Sequence, residues 1–158
     1  MKRLLIVGAG GYGQLVGNIA SDCGYEYIDY LDDSSVLACG TFSDISKVQD
    51  SYDGCVVAVG NPKLREKLYC LINRLVTLIH PTAWVSNSVV IGNGCVIEAK
   101  TVVNNNSIIK DSVFVCAGAV INHDSVIGSY SQIDCNAVVS AGSIVEPYTK
   151  IDSCMVFK

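Results

Sequence analysis

Ile91 to Gly128 reads, in blocks of six, IGNGCV IEAKTV VNNNSI IKDSVF VCAGAV INHDSV IG, and an aliphatic residue opens every block. Followed in both directions, the same position holds Ile79, Val85, Ile91, Ile97, Val103, Ile109, Val115, Ile121, Ile127, Ile133, Val139, Val145 and Ile151, thirteen in succession. Two places earlier a small or aliphatic residue recurs, as at Ala83, Cys95, Thr101, Ser107, Ala119, Ser125, Ser131, Ala137 and Ser143. Side chains two apart share one strand face, so both members of the pair point inward. Each six-residue unit is one short strand plus a turn, and it buries its inner face only by coiling upon copies of itself. A parallel β-helix of about four coils follows, with Gly92-Asn93-Gly94, Asn104-Asn105-Asn106, Asp111, Gly118, Asn122 and Gly128 predicted at the positive-φ corners.

The residue between each inward pair points outward, which gives three outer faces. One carries Trp84, Val102, Val120, Val138 and Val156, the next Val90, Ile108, Val126 and Ile144, and the third Val96, Phe114, Gln132 and Lys150. Two aliphatic outer faces exceed what a soluble monomer exposes and imply a partner surface.

Ahead of residue 79 the grammar differs. Lys2–Val7, Glu26–Leu31, Cys55–Val59 and Val76–Ile79 read as strands, and Gly13–Ser21 and Lys63–Ile72 as helices. Alternation of this kind implies a small parallel α/β unit over residues 1–78, leaning on a β-helix over 79–158 and capping its lower end. Half the residues are hydrophobic and 16% are charged, which excludes disorder. The uncharged stretch from Leu75 to Ile97 is too broken by His80, Pro81, Asn87 and Asn93 to span a membrane. A net charge of −4 without any Lys/Arg cluster gives no footprint for nucleic acid. The eight cysteines show no Cys-x-x-Cys spacing, so no metal is expected and reduced, cytoplasmic thiols are the default.

Two places carry chemistry. His123, with Asp124 beside it, lies on the corner joining the two aliphatic faces, where an imidazole serves as a general base near neutral pH. The other histidine, His80, is expected to satisfy backbone at the junction of the two halves. Gly8-Ala9-Gly10-Gly11-Tyr12-Gly13 follows a strand and opens a helix, as a nucleotide-binding glycine turn does, and Asp29, Asp32 and Asp33 fall near where a ribose-binding acid belongs. A unit this small suits a mononucleotide diphosphate better than NAD.

These motifs, with Val59-Gly60-Asn61 before Arg65 and Ile79-His80-Pro81-Thr82-Ala83, together resemble the sialic-acid O-acetyltransferase and PglD-like sugar N-acetyltransferase family of hexapeptide-repeat acyltransferases. The resemblance covers nearly the whole chain. It implies a Rossmann-like α/β unit followed by a left-handed β-helix, a cytoplasmic homotrimer, and acetyl transfer from acetyl-CoA to an amino or hydroxyl group of a nucleotide-activated sugar in bacterial surface glycan biosynthesis. By it, His123 is the base and Asp124 its acid. Gly10, Gly11, Tyr12, Asp32, Asp33 and Asn61 bind the UDP-sugar, and Gln132, Ala141 and Gly142 line the acetyl-CoA site. Tyr12 stands where the family usually has His, and Gln132 and Ala141 where it often has His and Gly. The family also usually adds coils beyond the point corresponding to Lys158. The alternative expectation is a shortened, catalytically weak UDP-sugar-binding relative.

Overall fold

The computed structural model describes residues 1–158. The first part is a three-stranded parallel sheet ordered β2-β1-β3, with β1 (Arg3–Val7) between β2 (Tyr27–Leu31) and β3 (Gly54–Val57). Helix α1 (Gly11–Asp22) follows β1, the single turn α2 (Ile45–Val48) precedes β3, and α3 (Pro62–Tyr69) follows it. Successive residues of β1 point to opposite faces, so Leu4 and Ile6 join Val16 and Ile19 in one core while Leu5 and Val7 join Ile45 and Leu68 in another. Burial on both faces explains the unbroken apolar run of this strand.

The glycine turn depends on close approach. A Cβ on Gly13 would lie 2.0 Å from the Gly8 carbonyl oxygen, so only glycine lets α1 start this near the end of β1. Gly13→Ala is expected to cost about 1–3 kcal/mol and to lower the melting temperature measurably by circular dichroism, whereas Gly10→Ala, with open space at its Cβ, leaves it nearly unchanged.

From β4 (Leu78–Ile79) to β17 (Val156–Phe157) the chain forms fourteen two-residue strands stacked in three parallel sheets of five, five and four. Partners lie 18 residues apart, as in Val120 with Val102 and Val138. The predicted inward residues fill one buried column from Cys95 and Ile97 to Val145 and Ile151. Val76–Ile79 is not a fourth strand of the α/β sheet. The chain meets that sheet only in a single parallel bridge from Leu75 to Cys55, with the Val76 N–H donating to the Cys55 carbonyl at 3.0 Å, and Leu78–Ile79 then pairs with Val96–Ile97 as the first rung of the β-helix.

Positive φ recurs at every sixth residue from Gly94 through Gly118, Asp124 and Gly142 to Cys154. The corner readings at Gly94, Asn106 and Gly118 match, but Asn122 and Asp111 lie outside this row and the left-handed residue of the His123 turn is Asp124. Gly92 and Gly128 have ordinary φ. A Cβ there would come within 2.4 Å of Asp111 Oδ1 and Pro147 N respectively, so these glycines serve coil-to-coil contact.

The α/β unit does not cap the end of the prism. It lies on the flank, where Val96 and Phe114 of the third face are buried with Leu4, Ile6, Val16 and Ala58. The first rung is left open, so inward-pointing Ile79 remains 40% exposed. Contacts continue up the flank to Tyr148, whose hydroxyl donates to Glu66 Oε1. At the junction His80 Nδ1 accepts from Thr82 N–H while Nε2 meets Asp22 Oδ2 at 3.1 Å, the structural role expected of it.

Candidate functional site

His123 and Asp124 occupy the corner between the first and second outer faces, opposite the flank that the α/β unit covers. The positive φ of Asp124 turns its carboxylate back onto the imidazole, with His123 Nδ1 2.6 Å from Asp124 Oδ2. The other carboxylate oxygen accepts from Asn106 Nδ2 at 3.2 Å, one coil away. Hydrogen bonding to His123 first, and to Asn106 next, holds the Asp124 carboxyl below the usual carboxylate range, so it is an anion at neutral pH. A carboxylate on Nδ1 fixes the tautomer with the proton on that nitrogen and leaves the Nε2 lone pair facing outward. Both side chains are more than half exposed, in reach of a substrate brought from outside.

One coil along, the Gly142 N–H is committed to the His123 carbonyl at 2.9 Å, whereas the Ala141 N–H makes no hydrogen bond within the chain. Of Ala141 and Gly142, both expected to line the acetyl-CoA site, Ala141 has the open amide. Gln132 does not join this corner: it lies on the third face, donates to Asp134 Oδ1 at 2.6 Å, and borders a small cleft with Gly60, Arg65 and Tyr130. No cysteine shares the His123 corner: Cys135 is exposed but stands on the turn between the third and first faces. Cys116 is buried, and desolvation, followed by the charge of Glu98, pushes its thiol far above the ordinary range.

The second feature is a cavity of about 390 Å³ at the C-terminal ends of β1 and β3, a size that suits a small ligand. Gly8, Gly10, Gly11, Tyr12, Asp32, Asp33, Ser34, Phe42, Val59, Gly60 and Leu64 line it. Asp32 ties its walls together: Oδ2 accepts from Ala9 N–H at 2.8 Å and Oδ1 from Ser34 N–H at 2.9 Å, and these bonds, Ala9 first, lower its carboxyl. Asp33 Oδ1 accepts from Phe42 N–H at 2.9 Å. Asp29 lies apart, held by the Tyr52 hydroxyl.

Two expected pocket residues are otherwise occupied. The Asn61 carboxamide oxygen caps α3 by accepting from Lys63 and Leu64 N–H, and Asn61 does not line the cavity. Tyr12 borders the cavity, but its ring packs on Phe114 at 4.7 Å between centroids and its hydroxyl is enclosed without a partner. Sequence reading missed Asn106 and Phe42 as site residues, and it quoted Val59-Gly60 as a motif without placing it in the cavity wall. Asn106 left a signal, the 18-residue offset from Asp124 that stacking imposes, whereas Phe42 left none.

Comparison with known proteins bears on both features. The PglD N-terminal domain model matches residues 3–72, the segment that carries the cavity. The acetyltransferase domain of PglB from Neisseria gonorrhoeae is 30% identical, with a TM-score of 0.81 over 99% of this chain and 88% of that one. The same domain in complex with acetyl coenzyme A gives 0.82 at 28% identity, over 99% and 92%. A mutant perosamine N-acetyltransferase from Caulobacter crescentus, in complex with CoA and GDP-perosamine, shares the fold at a TM-score of 0.74 and 19% identity, over 100% and 92%. Full-length agreement at this identity, with a glycine-turn unit on the flank of a left-handed parallel β-helix, means that the chain belongs to the PglD-like family of sugar acetyltransferases.

Proposed function

We propose that the protein transfers acetyl from acetyl-CoA to the amino group of a nucleotide-activated sugar, with His123 as general base. The observation that carries this is the His123–Asp124 pair held rigid on a β-helix corner, with an open backbone amide at Ala141 one coil away. His123 Nε2 takes the proton as the amine attacks the thioester carbonyl. The C–S bond then breaks, and the imidazolium returns that proton to the departing thiolate. Asp124 stabilises the imidazolium, and the Ala141 N–H donates to the oxyanion. Burial of Cys116 argues against an acyl-enzyme.

The cavity is where the nucleotide part sits, its diphosphate against the backbone amides of Gly10 and Gly11. Cavity and base lie on opposite sides of one prism, so one chain does not bring a sugar in its own cavity to its own His123. A second copy supplies the missing half. The exposed apolar faces support this, with Val90 61% and Ile144 64% exposed beside Val120 and Val138. A homotrimer, each cavity facing the next protomer's His123, satisfies both requirements.

The test is thiol release from acetyl-CoA in the presence of UDP-amino-sugars. Release that requires the sugar supports the reading. No release, while UDP still raises the melting temperature, leaves a nucleotide-sugar-binding protein without transferase activity. UDP rather than NAD is the expected nucleotide, because a three-stranded unit lacks the second mononucleotide half that a dinucleotide spans. Calorimetry should give tighter binding for UDP; tighter binding of NAD contradicts this.

A further inference from the structure

The cavity wall contains two carboxylates, Asp32 and Asp33, and no basic residue. A diphosphate placed there would meet only like charge from the side chains it touches. Directly behind the wall lies Arg65, which is 0% exposed and forms no ion pair. Its Nη1 donates to the carbonyls of Val59 at 2.9 Å and Gly60 at 3.3 Å, the two residues that form that side of the cavity. Nη2 donates to the Tyr130 and Ser131 carbonyls of the β-helix, and the guanidinium lies 4.0 Å from the Phe114 ring centroid. Nε has no partner. Glu98, the buried carboxylate on the same face, accepts from Ala117 N–H instead.

A buried cation without a carboxylate is expensive, and carbonyl dipoles stabilise it without cancelling its charge. Desolvation lowers Arg65 only to about 10, so it stays protonated at neutral pH. In a low-dielectric wall its field reaches the cavity with little screening.

We propose that Arg65 is the fixed counter-charge for the diphosphate of the nucleotide ligand, a positioning residue acting through the Val59–Gly60 wall without touching the ligand. This rests on the nucleotide reading above. A purely structural Arg65 would affect a nucleoside and its diphosphate alike, whereas a counter-charge acts in proportion to the phosphate charge.

The experiment is calorimetry of UDP and uridine against the parent protein, Arg65→Gln and Arg65→Lys. The expected result is a loss of UDP affinity of about 10–100-fold in Arg65→Gln, with uridine changed less than about threefold. Arg65→Lys keeps most of the preference for UDP over uridine. Equal weakening of both ligands in Arg65→Gln, or no weakening of UDP, overturns the proposal. If Arg65→Gln fails to fold, Arg65→Lys decides, since loss of the UDP preference with the cation retained also overturns it. A parent protein that binds neither ligand removes the nucleotide reading and this proposal together; one that binds both, with both equally weakened, removes this proposal alone.

Discussion

His123→Ala should lower acetyl-transfer turnover by about 10²–10⁴-fold, the usual worth of a general base, while nucleotide affinity stays at the parental value. The separation follows from the architecture, because His123 stands on the corner opposite the flank that carries the cavity. The alanine variant keeps the β-helix intact: the imidazole is 61% exposed and packs into no core, and its backbone carbonyl still receives the Gly142 N–H. Asp124→Asn is expected to fall less, since it leaves the imidazole in place and weakens only its fixed tautomer and the stabilisation of its cation. Steady-state rates with matched calorimetry check the pair of results. Near-parental turnover in His123→Ala, or abolition of turnover by a Cys116→Ser and Cys135→Ser pair, would reject direct transfer.

Val120→Asp should convert the assembly to monomers. Val120 sits at the middle of the first outer face, paired with Val102 and Val138 on either side, and its side chain is half-buried in the isolated chain. Apolar burial contributes about 25 cal/mol per Å², and an unpaired carboxylate trapped in such a contact costs several kcal/mol more, roughly 3–5. In the proposed homotrimer, three-fold symmetry would repeat that penalty at each interface. Because the side chain points outward, the inner column of Ile121, Val139 and Val103 is untouched and each coil stays folded. Multi-angle light scattering reads the change directly: a trimer for the parent, a monomer for the variant, and unchanged circular dichroism. A parent chain that is a stable monomer at micromolar concentration contradicts the argument.

The β-helix was legible because its core accepts one aliphatic residue per rung, so the period of six is a direct imprint of burial from Ile97 to Val145. Strands β1 and β3 were legible for the same reason, since both are buried on both faces. Docking was less so. Val96 and Phe114 differ from Gln132 and Lys150 above them, a sign that something apolar covers only the lower part of the third face, yet composition does not say whether a cap or a flank contact provides the cover. The corner prediction slipped at Asn122 because stacking geometry, and not residue preference, sets which turn position takes positive φ; Asp124, Tyr130 and Cys154 adopt it as readily as Gly118. Site residues divide in a similar way. His123 and Asp124 are neighbours in sequence and meet in space. Asn61 and Gly142 have their polar groups spent within the fold, one on the cap of α3 and one on the His123 carbonyl, and a residue's type does not reveal such a commitment.

Co-expression of two inactive chains tests the central claim, a site shared between copies, most directly. One chain carries His123→Ala, and the other carries Asp33→Trp, which places a large uncharged side chain across the cavity wall that Asp33 lines. In a randomly mixed trimer of the proposed kind, each catalytic unit would need an intact cavity from one protomer and an intact His123 from its neighbour. About one unit in four meets both conditions. The account predicts that mixed assemblies recover about a quarter of parental acetyl transfer, although each variant alone has almost none. Mixed trimers that form, bind nucleotide in the His123→Ala protomers and still show no transfer would contradict it.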